Sequence, residues 1–176
     1  MNRDALLRIL GLRGVPPKPI NLMLKLYSGT ESAVRCGETI YNIFPVVTGV
    51  RQGCVLAPAL VSACMDWILG RMSERSSCGA SFGNVKISDL DFADDAVIFL
   101  ETLDILLGAL EVLNEESEPL GLWVSWVKVK IQDFNDILDA AILSVPVCGE
   151  DVEVVEGFTY LGIDIHVSAG CEPEVI

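Results

Sequence analysis

The stretch "DFADDAVIF", residues 91–99, decides how this chain is read. Two carboxylates, Asp94 and Asp95, stand side by side in otherwise apolar sequence. A buried strand excludes unpaired charges, because taking an ion out of water is costly. Residues 85–92 and 96–100 have strand composition, so the spacing predicts a tight hairpin with Ala93, Asp94 and Asp95 between its strands. Such a turn carries its side chains to the end of the sheet, where carboxylates stay hydrated. Hard oxygen donors there suit Mg²⁺ or Mn²⁺; Mg²⁺ takes one or two carboxylates and completes its shell with water and phosphate. Two adjacent anions repel unless a cation sits between them. An ordinary polar turn explains the dipeptide as well, since Asp is common in turns. An EF-hand built on Asp89, Asp91, Asp94 and Asp95 fails, because the loop glycine and the closing Glu are missing.

A second segment lies upstream, "GVRQGCVLAP", residues 49–58. Gly49 and Gly53 bracket Arg51 and Gln52 in a loop that opens a helix at Pro58. Glycines permit close backbone approach, and a helix N-terminus favours phosphate. Arg51 and Gln52 can contact a phosphate or a base edge. Taken alone, the segment is also an ordinary way into a helix.

The rest of the chain sets the frame. Its 176 residues suffice for one domain with a core, and half of them are hydrophobic. Helices are predicted over residues 3–10, from Pro19 through Tyr27, from Pro58 through Met72, and along Leu103, Leu106, Leu107, Leu110 and Leu113. A β-hairpin is predicted over residues 28–49, a surface loop over 73–84, and strands in "GLWVSW" (residues 121–126) and across residues 152–167. The order of elements predicts an α+β domain with an antiparallel sheet.

Charge is uneven. Residues 1–75 hold nine Lys/Arg against five Asp/Glu, whereas residues 76–176 hold three against twenty. Affinity for nucleic acid rests on cations, so any such role falls to the N-terminal half or to metal ions that mask the carboxylates. None of the six cysteines forms a CxxC pair, and Cys148, His166 and Cys171 match no common zinc spacing. No apolar run reaches a membrane span, and an intracellular protein, cytoplasmic or nuclear, is expected.

Together, "GVRQGCVLAP" and "ISDLDFADDAVIF" resemble the reverse transcriptase of non-LTR, LINE-type retrotransposons. The flanks agree. "GVPPKPINLMLKLYSGTESAVRCG" resembles the stretch upstream of the family's QG motif, "GLWVSWVKVKIQ" the segment with its motif-D lysine, and "FTYLGIDI" the primer-grip hairpin. The resemblance implies a partial polymerase palm that uses RNA template, DNA primer and dNTP, with Mg²⁺ or Mn²⁺ as cofactor. It implies that Asp94 ligates metal with Asp95 as its acidic neighbour, and that Phe92 lies near the nucleotide and primer end. It assigns Arg51, Gln52 and Gly53 to the nucleotide and template pocket, and Lys128 to the leaving pyrophosphate.

The family also needs a third carboxylate, on a strand beside the hairpin. "MNRDALLRIL" resembles the sequence just after that motif, so the expected Asp falls before Met1. Asp4 lies on the following helix and does not replace it. Val129 stands where Thr is more usual after the lysine. The expectation is therefore a partial domain without the thumb, inactive alone and prone to self-association through an exposed sheet edge. The competing expectations are a non-catalytic retroelement remnant with weak metal, RNA or protein binding, and an unrelated acidic metal-binding domain.

Overall fold

Helix α1 (Arg3–Leu12) begins where Asn2 accepts hydrogen bonds from the N–H groups of Asp4 and Ala5. That satisfies two of the donors every helix start leaves open. The computed structural model describes residues 1–134, 138–139, 141–168 and 170–173. Helix α2 (Pro17–Tyr27) follows a short turn, with prolines in its first turn where the missing N–H costs nothing. Helix α3 (Ala57–Ser76) buries Leu60, Cys64, Ile68 and Met72 at four-residue spacing. Helix α4 (Leu103–Ser117) is capped by Thr102 and runs into a 3₁₀ turn, Glu118–Leu120.

The predicted hairpin over 28–49 is present as strands β1 (Glu31–Ser32), β2 (Arg35–Cys36), β3 (Thr39–Ile40) and β4 (Phe44–Pro45). Here β1 pairs with β4, β2 pairs with β3, and both ladders are antiparallel. The predicted loop over 73–84 is partly wrong. It contains strand β5 (Ala80–Phe82), which turns through Gly83 and Asn84 into β6 (Val85–Ile87). Gly83 adopts φ +62°, which lets so short a turn close. Strands β7 (Asp89–Phe92) and β8 (Asp95–Ile98) form the next hairpin.

Beyond α4, "GLWVSW" is not a strand. Its backbone is irregular, Trp123 is exposed, and the Lys128 and Val129 N–H groups donate to the Ser125 carbonyl in a turn. Those bonds, with no neighbouring strand on offer, hold the segment out of a ladder. Strand β9 (Lys130–Ile131) pairs with β11 (Glu150–Val154), which pairs with β10 (Ser144–Val147). Strands β12 (Gly157–Tyr160), β13 (Ile163–His166) and β14 (Gly170–Pro173) make a separate antiparallel sheet.

The α+β class therefore holds, but the expected single antiparallel sheet does not. The described strands form six small sheets, and the β9–β11 pair is parallel. Strands of two to five residues are too short to build a broad sheet, and Asp89, Asp91 and Asp95 make the β7–β8 pair polar. Helices do most of the packing. One core joins α1 to α3 through Leu6, Ile9, Leu10, Leu60, Cys64 and Ile68. A second packs Leu110 of α4 on Ile131, Val145, Val147 and Val152. A third sets Ala109 against Leu69, Met72 and Cys78. Leu113 touches all three, so α4 ties the molecule together.

Candidate nucleotide and metal site

The carboxylate hairpin is anchored at its base and free at its tip. Ile98 packs against the second and third cores. The Phe99 N–H donates to the Ser88 carbonyl, the Gly79 N–H donates to the Phe99 carbonyl, and the Phe99 ring meets Phe82 edge-on at 5.8 Å. Residues 90–96 are all exposed. Leu90 opposes Val97 and Phe92 opposes Asp95, so Asp95 and Phe92 share one face and Asp91 lies on the other.

The turn itself is tighter than the sequence suggests. It holds two residues, Ala93 and Asp94, and Asp95 is the first residue of β8. Ala93 has φ +58°, whereas Asp94 does not take a positive φ, the sign pattern of a type II′ turn. Glycine is the usual residue there. An L-residue in that region costs roughly 1–2 kcal/mol, and such outliers cluster at functional sites.

The upstream motif is also a turn. The Cys54 N–H donates to the Arg51 carbonyl at 3.1 Å, leaving Gln52 and Gly53 central. Gly53 has φ +77°, as the third position of a type II turn requires. A Cβ on Gly53 or Gly49 would meet no atom within 4 Å. Their positive φ values give both glycines a conformational role in the loop, and the space beside them is open. Helix α3 follows without a side-chain cap; the Ala57 N–H donates to the Cys54 carbonyl, and Pro58 has no N–H to satisfy.

Arg51, Gln52, Lys128, Asp94 and Asp95 make no side-chain hydrogen bond or ion pair among the described residues. Lys128 sits exposed in the turn before β9, and Phe92 is 62% exposed. No side-chain hydrogen bond or ion pair joins these three segments to one another among the described residues. The YLG stretch forms the β12–β13 turn, with Leu161 at φ +51° and Gly162 at φ +79°. Gln132 braces the open end of this hairpin, away from the turn, by donating to the carbonyls of Glu156 and Ile165.

Sequence reasoning missed Arg3. Its guanidinium leaves the first turn of α1 and binds backbone carbonyls at the base of the first hairpin. One signal was available: a cation at a helix N-terminus opposes the helix dipole and so implies a partner.

The reverse transcriptase (RNA-dependent DNA polymerase) family profile matches residues 1–165. The chain belongs to the reverse transcriptase family. Its similar proteins include the Pol polyprotein of a type-1 retrotransposable element R2 from Nasonia vitripennis, 31% identical over 119 residues, or 68% of this chain and 11% of that protein. The type-2 element R2DM polyprotein of Drosophila melanogaster is 32% identical over 97 residues, covering 53% of this chain and 9% of its own length. That of the type-1 element R2 of Popillia japonica is 29% identical over 108 residues, 61% and 15% respectively. These relatives agree with the non-LTR resemblance. This reverse transcriptase chain thus spans 9–15% of the polyproteins it matches.

The family implies a divalent metal, and the donor chemistry at the hairpin suits one. Asp94 and Asp95 offer exposed hard oxygens at adjacent positions, enough for a Mg²⁺ that draws its other ligands from water and phosphate. No group of three or more His, Cys, Asp or Glu side chains converges among the described residues. Two carboxylates do not hold two metals without help. No helix of the described chain is long and apolar enough to cross a membrane.

Proposed function

We propose that this chain is the palm segment of an RNA-directed DNA polymerase, with Asp94 and Asp95 as its metal-holding carboxylates. The observation that carries the reading is the β7–β8 hairpin, whose strained Ala93 places both acids at an exposed tip. When bound, the divalent metals would activate the primer 3′-hydroxyl and stabilise the departing pyrophosphate. Phe92, on the Asp95 face, lies against the nucleotide and primer end. Arg51 and Gln52 contact the incoming nucleotide and the template, and Gly53 shapes their turn. Lys128 neutralises or protonates the pyrophosphate.

Templated synthesis on this reading needs a further carboxylate from outside the described residues, because none of theirs joins Asp94 and Asp95. A misplacement of about 1 Å costs roughly a hundredfold in rate, so two acids alone do not suffice. The 176 residues by themselves are expected to be inactive and to bind Mg²⁺ or Mn²⁺ weakly. The β7–β8 ladder also has no third strand among the described residues, and Leu90 and Phe92 are exposed beside it. Such edges template pairing with another chain, so the chain is expected to self-associate.

Primer extension on an RNA template tests the reading. The purified chain should give no product above background. A polypeptide extended at its N-terminus with a family segment that supplies a third Asp should extend the primer and lose that activity with Asp94→Asn. Extension by the longer polypeptide that survives Asp94→Asn would overturn the assignment.

A further inference from the structure

Arg3 binds most of the irregular segment that leads into the Arg51–Gln52–Gly53 turn. Its Nε donates to the Gly49 carbonyl at 2.8 Å. Nη1 donates to the carbonyls of Val46 at 2.7 Å and Tyr27 at 3.0 Å and to Thr30 Oγ1 at 3.0 Å. Nη2 donates to the Thr48 carbonyl at 3.3 Å, and the guanidinium lies 5.0 Å from the Tyr27 ring centre. The Gly49 N–H donates in turn to the Met1 carbonyl at 2.8 Å.

These carbonyls belong to no strand, and half-buried backbone acceptors need partners. A single planar fork supplies three of the four between residues 46 and 49. The far end of the same loop runs into α3, whose Leu60, Cys64 and Ile68 pack with Leu6, Ile9 and Leu10 of α1. Both ends of the turn are therefore referred to α1. Between them Arg51 and Gln52 have no side-chain hydrogen-bond or ion-pair partner among the described residues, so their position is set by the two anchors.

We propose that Arg3 is a positioning residue for the Arg51–Gln52–Gly53 turn, holding it where it meets the incoming nucleotide; this rests on the reading of that turn as the nucleotide contact. The guanidinium is suited to the task because it serves several acceptors in fixed directions. A lysine is a single point donor that cannot replace the fork.

The test uses the whole chain with Arg3→Lys and the milder Thr30→Val, which removes a hydroxyl that accepts from Arg3 and donates to the Val46 carbonyl. Amide hydrogen exchange and binding of mant-dATP with Mg²⁺ are measured together. In Arg3→Lys, exchange over residues 46–53 is expected to speed up about tenfold, the scale of a lost charge-assisted hydrogen bond. Amides of α3 and of β7–β8 should keep their protection. The mant-dATP affinity should fall about tenfold while Mn²⁺ affinity at the hairpin is unchanged, a split that a general loss of fold would not give. Thr30→Val should shift both in the same direction by less. Unchanged exchange over 46–53, or equal loss of protection along the whole chain, would overturn the proposal. The Arg51→Ala/Gln52→Ala chain separates the two ideas. If it binds mant-dATP as well as the parent, or the parent does not bind, the nucleotide reading of the turn fails, and the exchange pattern still decides whether Arg3 positions it.

Discussion

Phe92 stands directly across the hairpin from Asp95, the last residue of one strand against the first of the next. Directly opposed residues point to the same face. An exposed aromatic ring and a carboxylate therefore share the last rung before the turn, with Asp94 beyond them. That places an apolar platform beside the two acids proposed to hold metal, a pairing suited to a nucleotide whose base stacks and whose phosphates are charged.

The first prediction concerns the turn that creates this rung. Ala93 at φ +58° is exposed, so replacing it empties no core space. Ala93→Gly relieves roughly 1–2 kcal/mol of backbone strain and gives back part of it as unfolded-state entropy. A net gain of about 0.5–1 kcal/mol is expected in urea denaturation, and Ala93→Val should lose stability. Equal midpoints for all three chains would show that the turn carries no strain.

The second prediction ties the acids to metal. A ligand that binds only the folded state stabilises it, by about 1.4 kcal/mol at ten times its dissociation constant. Mg²⁺ or Mn²⁺ should raise the melting temperature of the parent chain and leave that of Asp94→Asn unmoved. A rise of the same size in both would put the bound metal elsewhere.

The four helices were legible because their apolar residues recur at helical spacing, as Leu60, Cys64, Ile68 and Met72 do in α3. The carboxylate hairpin was legible because strand composition flanks a polar pair. Its exact register was not, since composition does not say whether Asp95 belongs to the turn or to β8. Strand β5 was read as loop because Ser and Gly dominate residues 73–84, although Gly83 and Asn84 carried the turn signal and β6 fell within the predicted strand over 85–92. "GLWVSW" misled in the other direction: strand-forming residues make a strand only where a neighbour offers hydrogen bonds. Arg3 showed only that a partner was needed at the helix N-terminus; which partner was not legible, because its acceptors are backbone carbonyls 24 to 46 residues away.

The third prediction compares two glycines in equally open space. A Cβ at Gly53 or at Gly70 meets nothing within 4 Å, but only Gly53 has a positive φ. Gly53→Ala should cost roughly 1 kcal/mol through backbone conformation alone. Gly70→Ala, in the exposed middle of α3, should gain about 0.5–1 kcal/mol from helix propensity. Thermal melts of the two chains should therefore move in opposite directions. A shift of the same sign in both would mean that φ does not control the QG turn.

The fourth prediction concerns alkaline pH. Cys64 is fully buried in the α1–α3 core, with its thiol 3.6 Å from the Met1 sulfur. Burial pushes its pKa up, against smaller opposing pulls from the N-terminal amine and Arg13. Desolvation raises Cys148 too, helped by the charges of Glu111 and Glu115. An unfolded thiol ionises near pH 8.5, whereas these stay protonated to higher pH in the fold. The unfolded state thus releases protons first, and stability falls as pH rises from about 8.5 toward the folded values. Below that range the contribution is constant. The buried Cys64 thiol steepens the fall by at most about 1.4 kcal/mol per pH unit, and the exposed Cys148 by less, because solvent screens it. Cys64→Ala should lower stability at neutral pH through lost packing while flattening the alkaline slope, and adding Cys148→Ser should flatten it further. Urea titrations from pH 7 to 10 read the slope directly. A slope that is unchanged in the double variant would show that these two thiols do not govern alkaline unfolding.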